Sequence, residues 1–160
     1  MRNEATYSYS YMESNVQRIY EEMGISSPDM IDRYLIAKKL GIHLLEWEFA
    51  SQAVKTRKRK LILLDEELSE IQKQADFFHE LAHLLHHAGT QQNLSKSMYQ
   101  YQENKAELFA LHCLMPTFIL IRDKLPPDEN SAAFYICENY RVCDAHARKR
   151  YRMFLEKIRS

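Results

Sequence analysis

The sequence predicts an α+β fold that is mainly helical, with a small antiparallel sheet that precedes one long buried helix. Through most of the chain, apolar residues recur every three or four positions, which is typical of amphipathic helices. A period-two pattern and a short apolar run fall between residues 42 and 64, which leaves space for one short sheet. Because the strands are grouped rather than alternating with helices, the class is α+β.

Two helices are expected after a polar, tyrosine-rich start. Residues 1–12 carry no apolar pattern and are expected to form a flexible arm. Residues 13–23 carry an apolar stripe that ends before a glycine, which commonly terminates helices. A second helix is expected from residue 28 to Gly41, with Ser27 as its N-cap.

The sheet is expected to contain strands at 42–49 and 61–64. The first alternates apolar and polar side chains, and the second is a short apolar run. Five basic side chains occupy the six positions 55–60 between them. This basic segment has two interpretations: a solvated turn or strand edge, where charges discourage unwanted pairing, or an electrostatic contact with an acidic partner. The edge of this sheet is expected to be able to pair with the strand of another polypeptide.

The longest predicted helix opens at Ser69 with a capping-box pattern and runs to about residue 87. It is apolar on most of its circumference, so it should be buried, yet it carries four histidines. Residues 88–100 are expected to form a loop, and the next helix, 101–115, ends before a proline. Three further helices are expected at 118–124, 129–138 and 144–158.

Composition and charge exclude several classes of protein. The chain has 22 basic and 22 acidic residues, so zero net charge argues against strong non-specific binding to nucleic acid or an anionic membrane. No apolar run is long enough to span a bilayer, and the start lacks the apolar core of a secretory signal. Three cysteines without a C-x-x-C pair favour a reducing compartment, so a cytoplasmic location is expected.

The chemistry is concentrated in His79-Glu80-Leu81-Ala82-His83, an H-E-x-x-H motif inside the predicted buried helix. Side chains four apart stand one turn apart on one face, so His79 and His83 are placed to hold one Zn²⁺. Glu80 lies beside that face, where it is placed to take a proton from a metal-bound water and deliver it to a leaving amine.

Two imidazoles leave a third protein ligand to be found. The metzincin pattern would need a histidine at position 89, where the chain has Gly89. His87 lies too far along the helix to share an ion with both motif histidines. Glu103, at the start of the next helix, is the best candidate for the third ligand. Glu107, one turn later, is placed to orient a histidine ligand.

Two segments of the chain resemble the motifs of a known family. The segments HELAHLLHH and ENKAELFALHCLMP are similar to the two motifs of the ImmA/IrrE metallopeptidases of bacteria and phages, a gluzincin-like family. The matching residues are His79, Glu80, His83, His87, Glu103, Ala106, Phe109, Ala110, Leu114, Met115 and Pro116. Two positions depart from the pattern: Ala82 replaces a common glycine, and Glu107 replaces a small polar residue.

The resemblance implies a cytoplasmic zinc peptidase that cleaves the repressor of a prophage or mobile element and so acts as an anti-repressor. It implies a zincin-like core over 13–125, with a helical extension at 126–160 packed on it. The chain is expected to resemble the short stand-alone members, which have no helix-turn-helix domain before the core. Zn²⁺ is the expected metal, with Mn²⁺ or Fe²⁺ as alternatives.

Four further residues are candidates for supporting roles. His87 fits the family pattern and is expected to contact one of the metal-binding side chains or the substrate. Tyr99, Tyr101 and His146 are candidates for the group that stabilises the developing oxyanion, and the sequence does not choose among them.

Two rival functions come from other features. Residues 141–160 carry an excess of five positive charges, so a DNA-binding helix pair is an alternative. Against it, an apolar stripe that includes Tyr151 and Leu155 is expected to be buried, with the cations Arg148, Lys149, Arg150 and Arg152 solvated. The second rival hypothesis is a non-catalytic protein-binding module on the peptidase fold. The expected partner is one protein substrate, and the sequence carries no signal for oligomeric state.

Overall fold

The structure, a computed structural model, describes residues 7–86 and 94–159. Within these ranges it is mostly helical with one three-stranded sheet, which confirms the predicted α+β class. The elements in chain order are α1 Tyr11–Met23, a 3-10 turn Pro28–Met30, α2 Arg33–Leu40, β1 Ile42–Trp47, β2 Gln52–Lys55, β3 Lys60–Asp65, α3 Glu70–His86, α4 Lys96–Leu114, α5 Thr117–Asp123, α6 Glu129–Tyr140 and α7 Asp144–Arg159. No helix within the described ranges is both long and apolar enough to cross a membrane.

The chain divides into two compact units. The first, Asp32–Ala110, contains the sheet and is called the sheet unit; the second combines Met1–Ile31 with Leu111–Ser160 and is called the helical unit. The division of the chain into a core over 13–125 and an extension over 126–160 stays a prediction.

The sheet is mixed rather than antiparallel, which corrects the sequence prediction. Its order is β1-β3-β2, with β1 parallel to β3 and β2 antiparallel to β3. The predicted pair of strands omitted β2, which forms a hairpin with β3 and occupies one of its edges. The first strand therefore pairs with the opposite edge of β3, and the two chain reversals leave β1 parallel to β3.

One face of the sheet supports α3. Ile62 and Leu64 of β3 are buried on this face. On the same face of β1, Glu46 accepts an ion pair from Lys73 of α3 at 3.1 Å. Arg33 at the start of α2 bonds to Glu70 at 2.5 Å, which fixes α2 beside the first turn of α3. These contacts anchor the helix that carries the H-E-x-x-H motif.

Helix α3 begins as the sequence predicts. Ser69 and Gln72 form the capping box. The Ser69 N–H donates to the Gln72 side chain at 3.0 Å, and the Gln72 N–H donates to the Ser69 hydroxyl at 3.2 Å. Its buried side chains are mainly apolar, which agrees with the predicted burial of this helix. The next helix, α4, starts at Lys96 instead of 101, because Ser95 caps it by accepting the N–H of Met98 at 3.2 Å.

The N-terminal region differs from its prediction in two places. Asp32 accepts the N–H groups of Tyr34 and Leu35, so α2 begins after it and residues 28–30 form a separate 3-10 turn. The predicted arm 1–12 is packed from residue 7 onward, while residues 1–6 lie outside the described ranges. Tyr7 is buried because its ring stacks on Phe154 at 5.4 Å.

The C-terminal helix α7 packs within the helical unit. Tyr151 is buried, as predicted, whereas Leu155 is half-buried. Arg150, predicted to be solvated, is fully buried. Its guanidinium donates to the backbone oxygen of Met115 at 3.0 Å and to the hydroxyl of Thr117 at 2.7 Å, which offsets the cost of burying the charge.

Candidate metal centre

The two motif histidines lie on one face of α3 in the sheet unit. His79 and His83 are one helical turn apart, and their ring centroids are 5.0 Å from each other. Burial lowers the pKa of His83, the charge of nearby Glu103 raises it, and His79 lowers it, with a net downward shift. The shift favours the neutral imidazole, which is the form that binds a metal ion.

Helix α4 brings Glu103 to these two rings. One carboxylate oxygen of Glu103 lies 2.9 Å from Nε2 of His79, and the other lies 3.1 Å from Nε2 of His83. One ligand atom from each of the three residues lies within 4.8 Å of the other two. Helical spacing predicted the pairing of His79 with His83, and the need for a third ligand pointed to Glu103 on the next helix.

The donor set fits a zinc ion. Two imidazole nitrogens and a carboxylate oxygen are ordinary zinc ligands, with bond lengths of about 2.0–2.2 Å, so tetrahedral ligand atoms stand about 3.3 Å apart. The two histidine nitrogens lie 2.9 and 3.1 Å from different oxygens of Glu103, and the three donor groups lie within 4.8 Å of one another, which is the range that one shared ion requires. Two histidines and one carboxylate also leave a coordination position open, as catalytic sites require.

Glu80 is a half-buried carboxyl group on the same helix as His79 and His83. Burial raises its pKa to about 7, the backbone N–H of Ala53 opposes this by donating to the carboxylate, and the charges of Asp76 and Glu103 add to the rise. A pKa near neutrality suits a group that both accepts and donates a proton.

The contact with Ala53 was not foreseen from the sequence, because β2 was not predicted. The N–H of Thr56 bonds to the carbonyl of Arg59 at 2.8 Å and closes the hairpin. With the β2–β3 register, antiparallel alternation directs the backbone groups of Ala53 and Lys55 away from β3. The Ala53 N–H therefore lies on the outer edge of the sheet, where it holds Glu80. The polar, basic segment 56–59 was the one signal in the sequence for a tight turn between β2 and β3.

The structure separates the supporting residues that the sequence proposed together. Tyr99 lies one turn before Glu103 and on the same face of α4, and Glu107 lies one turn after it. Tyr101 is two positions from Glu103, on another face, where its ring contacts the ammonium of Lys105 at 5.1 Å. His146 is half-buried on α7 in the helical unit. His87 lies outside the described residues.

Comparison with known proteins finds a matching family and similar sequences. Residues 37–153 match the M78 peptidase family, described as the IrrE N-terminal-like domain. The chain is 36% identical to the phage-like element PBSX protein XkdA of Bacillus subtilis, over 91% of this chain and 73% of that protein. It is 26% identical to the uncharacterized protein YqaB of the same organism, over 95% of this chain and 88% of that protein.

A solved structure shares the fold. A transcriptional regulator of Mycobacterium tuberculosis superposes with a TM-score of 0.61 at 15% identity, and the match covers 87% of this chain and 46% of that one. The family match spans the helix with the H-E-x-x-H motif and the helix with Glu103. The chain is therefore a member of the M78 peptidase family, the ImmA/IrrE metallopeptidases.

Proposed function

We propose that this protein is a zinc-dependent peptidase that cleaves one partner protein, the repressor of a prophage or mobile element. The observation that carries the proposal is the convergence of His79, His83 and Glu103 beside a half-buried Glu80. The similarity to a protein of a phage-like element supports the genetic context. A repressor substrate places the protein in the cytoplasm.

Each residue has a distinct role in this proposal. His79, His83 and Glu103 hold the metal. Bound there, Zn²⁺ would supply Lewis acidity and lower the pKa of a coordinated water, and Mn²⁺ or Fe²⁺ are the alternatives. Glu80 takes a proton from the attacking water and passes it to the leaving amine, while the Ala53 N–H keeps its carboxylate in place.

The test is a Glu80→Gln variant, which keeps the shape of the side chain and removes the base. We expect it to retain its metal and to lose cleavage of the co-expressed repressor by at least about a hundredfold. New protein termini, counted by mass spectrometry in cells with either form, measure the loss. An Asp76→Asn variant, which removes a neighbouring charge on the same helix, should still cleave. If Glu80→Gln derepresses the element normally, the protein acts by binding.

The oxyanion group is assigned to Tyr99 rather than Tyr101, since only Tyr99 shares the face of Glu103. A Tyr99→Phe variant should lower kcat by about a hundredfold, the usual effect of removing one oxyanion donor. The matched Tyr101→Phe variant should be nearly unchanged. Equal losses in the two variants would contradict the assignment.

The DNA-binding alternative has little support in α7. Arg148 bonds to Asp144 at 2.8 Å and to Glu129 at 3.3 Å, and Arg152 bonds to Glu129 at 2.6 Å. Arg150 is buried. These cations are neutralised or hidden, so they offer few contacts to DNA phosphates.

A further inference from the structure

The basic segment Lys55–Lys60 is a concentration of charge that the proposed chemistry does not use. All five of its basic side chains are exposed. In the part of the chain that the structure describes, none of the five forms an ion pair with a carboxylate. Lys73 of α3 and Arg148 and Arg152 of α7, in contrast, form ion pairs with carboxylates of the protein. In a chain of zero net charge, this segment is locally and strongly positive.

The turn inside this segment has a defined shape. The hydroxyl of Thr56 accepts the N–H groups of Lys58 at 3.3 Å and Arg59 at 3.0 Å, and the Thr56 N–H donates to the Arg59 carbonyl. A side chain that bonds two backbone donors fixes the loop conformation. The three cations at the tip, Arg57, Lys58 and Arg59, are therefore presented on a fixed frame.

The segment continues the sheet edge that touches Glu80. Helix α3, which carries Glu80, packs against β2, and the outward N–H of Ala53 lies close enough to the Glu80 carboxylate to act on its pKa. The next residue of β2 that faces outward is Lys55, about 7 Å farther along the strand, and the basic turn follows directly. The Ala53 carbonyl and the backbone groups of Lys55 point away from β3, where they are placed to pair with another polypeptide strand.

We propose that Lys55–Lys60 is a recognition site for an acidic stretch of the substrate protein. A substrate segment that lies along β2, with its scissile bond beside Glu80, carries its next few residues past Lys55 and the basic turn. Aspartate or glutamate there gains charge complementarity, which selects partners more than it adds affinity. This inference rests on the proposed function, because it takes Glu80 as the reacting end of the site.

A polypeptide explains the site better than a nucleic acid does. Unpaired strand-edge N–H and C=O groups match the backbone of a peptide and have no counterpart in a phosphate backbone. The basic segment also lies beside a carboxyl group suited to amide hydrolysis. A nucleic acid on the same turn is the competing outcome of the experiment below.

The experiment selects a random displayed peptide library on the zinc-loaded Glu80→Gln protein, which binds without turnover. We expect the selected sequences to be enriched in clustered Asp and Glu. With Arg57→Gln, Lys58→Gln and Arg59→Gln added, the acidic enrichment should disappear. A matched control with Lys38→Gln, Lys39→Gln and Lys96→Gln removes three exposed cations elsewhere in the sheet unit and should keep it. Circular dichroism and zinc content verify that the variants are folded.

Synthetic peptides from the selection then measure the effect. Replacing their Asp and Glu by Asn and Gln should weaken binding to the Glu80→Gln protein about tenfold, and high salt should reduce the difference. Reversing the charge of the turn with Arg57→Glu, Lys58→Glu and Arg59→Glu should invert the preference. Acidic enrichment that survives in the turn variants would overturn the proposal, as would selected peptides without it.

Wild-type protein separates this inference from the proposed function. If it does not cleave acidic peptides that bind through the turn, the recognition site stands and the peptidase fails. If it cleaves peptides without any acidic preference, the peptidase stands and the recognition site fails. Oligonucleotide binding that is lost in the turn variants, without acidic peptide selection, would assign the turn to nucleic acid instead.

Discussion

Replacing His79 and His83 by alanine is expected to abolish metal binding. The double variant keeps only the carboxylate of Glu103 among the three convergent donors. A single carboxylate does not retain a transition metal ion during purification. Protein purified without chelator should contain about one metal ion per wild-type chain and essentially none in the variant. Elemental analysis and native mass spectrometry measure this directly.

A thermal measurement supports the metal analysis. Zinc that binds only the folded form raises the unfolding temperature of wild type, and the double variant should not respond. The matched control is His43→Ala, which removes an exposed histidine on the sheet of the same unit and should keep both the metal and the thermal shift. Stoichiometric metal in the double variant would refute the assigned site.

The second large effect is expected in the helical unit, at the buried carboxylate of Glu13. This side chain accepts bonds from Tyr7 at 2.5 Å, Thr117 at 2.7 Å and Lys157 at 2.7 Å. The backbone N–H of Ser10 adds a fourth bond at 2.7 Å. A Glu13→Ala variant leaves these donors without their acceptor, so the free energy of unfolding should fall by about 3–5 kcal/mol. Urea denaturation measures the loss.

The same residue makes stability depend on pH. Burial would raise the pKa of Glu13, but the bonds from Lys157, Ser10, Tyr7 and Thr117 outweigh it and hold the pKa well below its usual range. The stabilisation is therefore complete above the unfolded-state pKa, about 4.3, and is lost as the pH falls below it. The difference in the free energy of unfolding between wild type and Glu13→Gln should shrink as the pH falls below about 4.3.

A second group acts at higher pH. Burial and the neighbouring charge of Arg150 lower the pKa of His112 to about 4. Because the unfolded chain takes up this proton near pH 6.5, the free energy of unfolding should decline as the pH falls from about 6.5 to 4.

The control for Glu13→Ala is a Glu22→Ala variant, which breaks an exposed ion pair with Arg18. It should lower the free energy of unfolding by less than about 1 kcal/mol at any pH. A Glu13→Ala loss as small as this would contradict the network.

The parts of the structure that local spacing determines were predictable. His79, Glu80 and His83 lie on one helix, so their relation follows from helical geometry alone. The capping box at Ser69 and the glycine after α1, Gly24 with φ 74°, likewise depend on neighbours in the sequence. The contact of Glu103 with both rings required the family resemblance or an argument from the missing third ligand.

The parts that depend on distant contacts were not predictable. Strand β2 has four residues, too few for a periodic pattern, and without it the direction of β1 relative to β3 could not be derived. Arg150 was expected in solvent because arginine is rarely fully buried. Its partners, Met115 and Thr117, are more than thirty positions away in the sequence. Ala53 holds Glu80 through its backbone, which no side-chain pattern reveals.

We expect His79, His83 and Glu103 to hold one metal ion beside Glu80. The most direct measurement is anomalous scattering at the zinc edge from crystals of protein purified without chelator. We expect a single peak about 2.0–2.2 Å from Nε2 of both histidines and from a carboxylate oxygen of Glu103. A peak at other residues, or no peak between these three in protein that contains stoichiometric zinc, would contradict it.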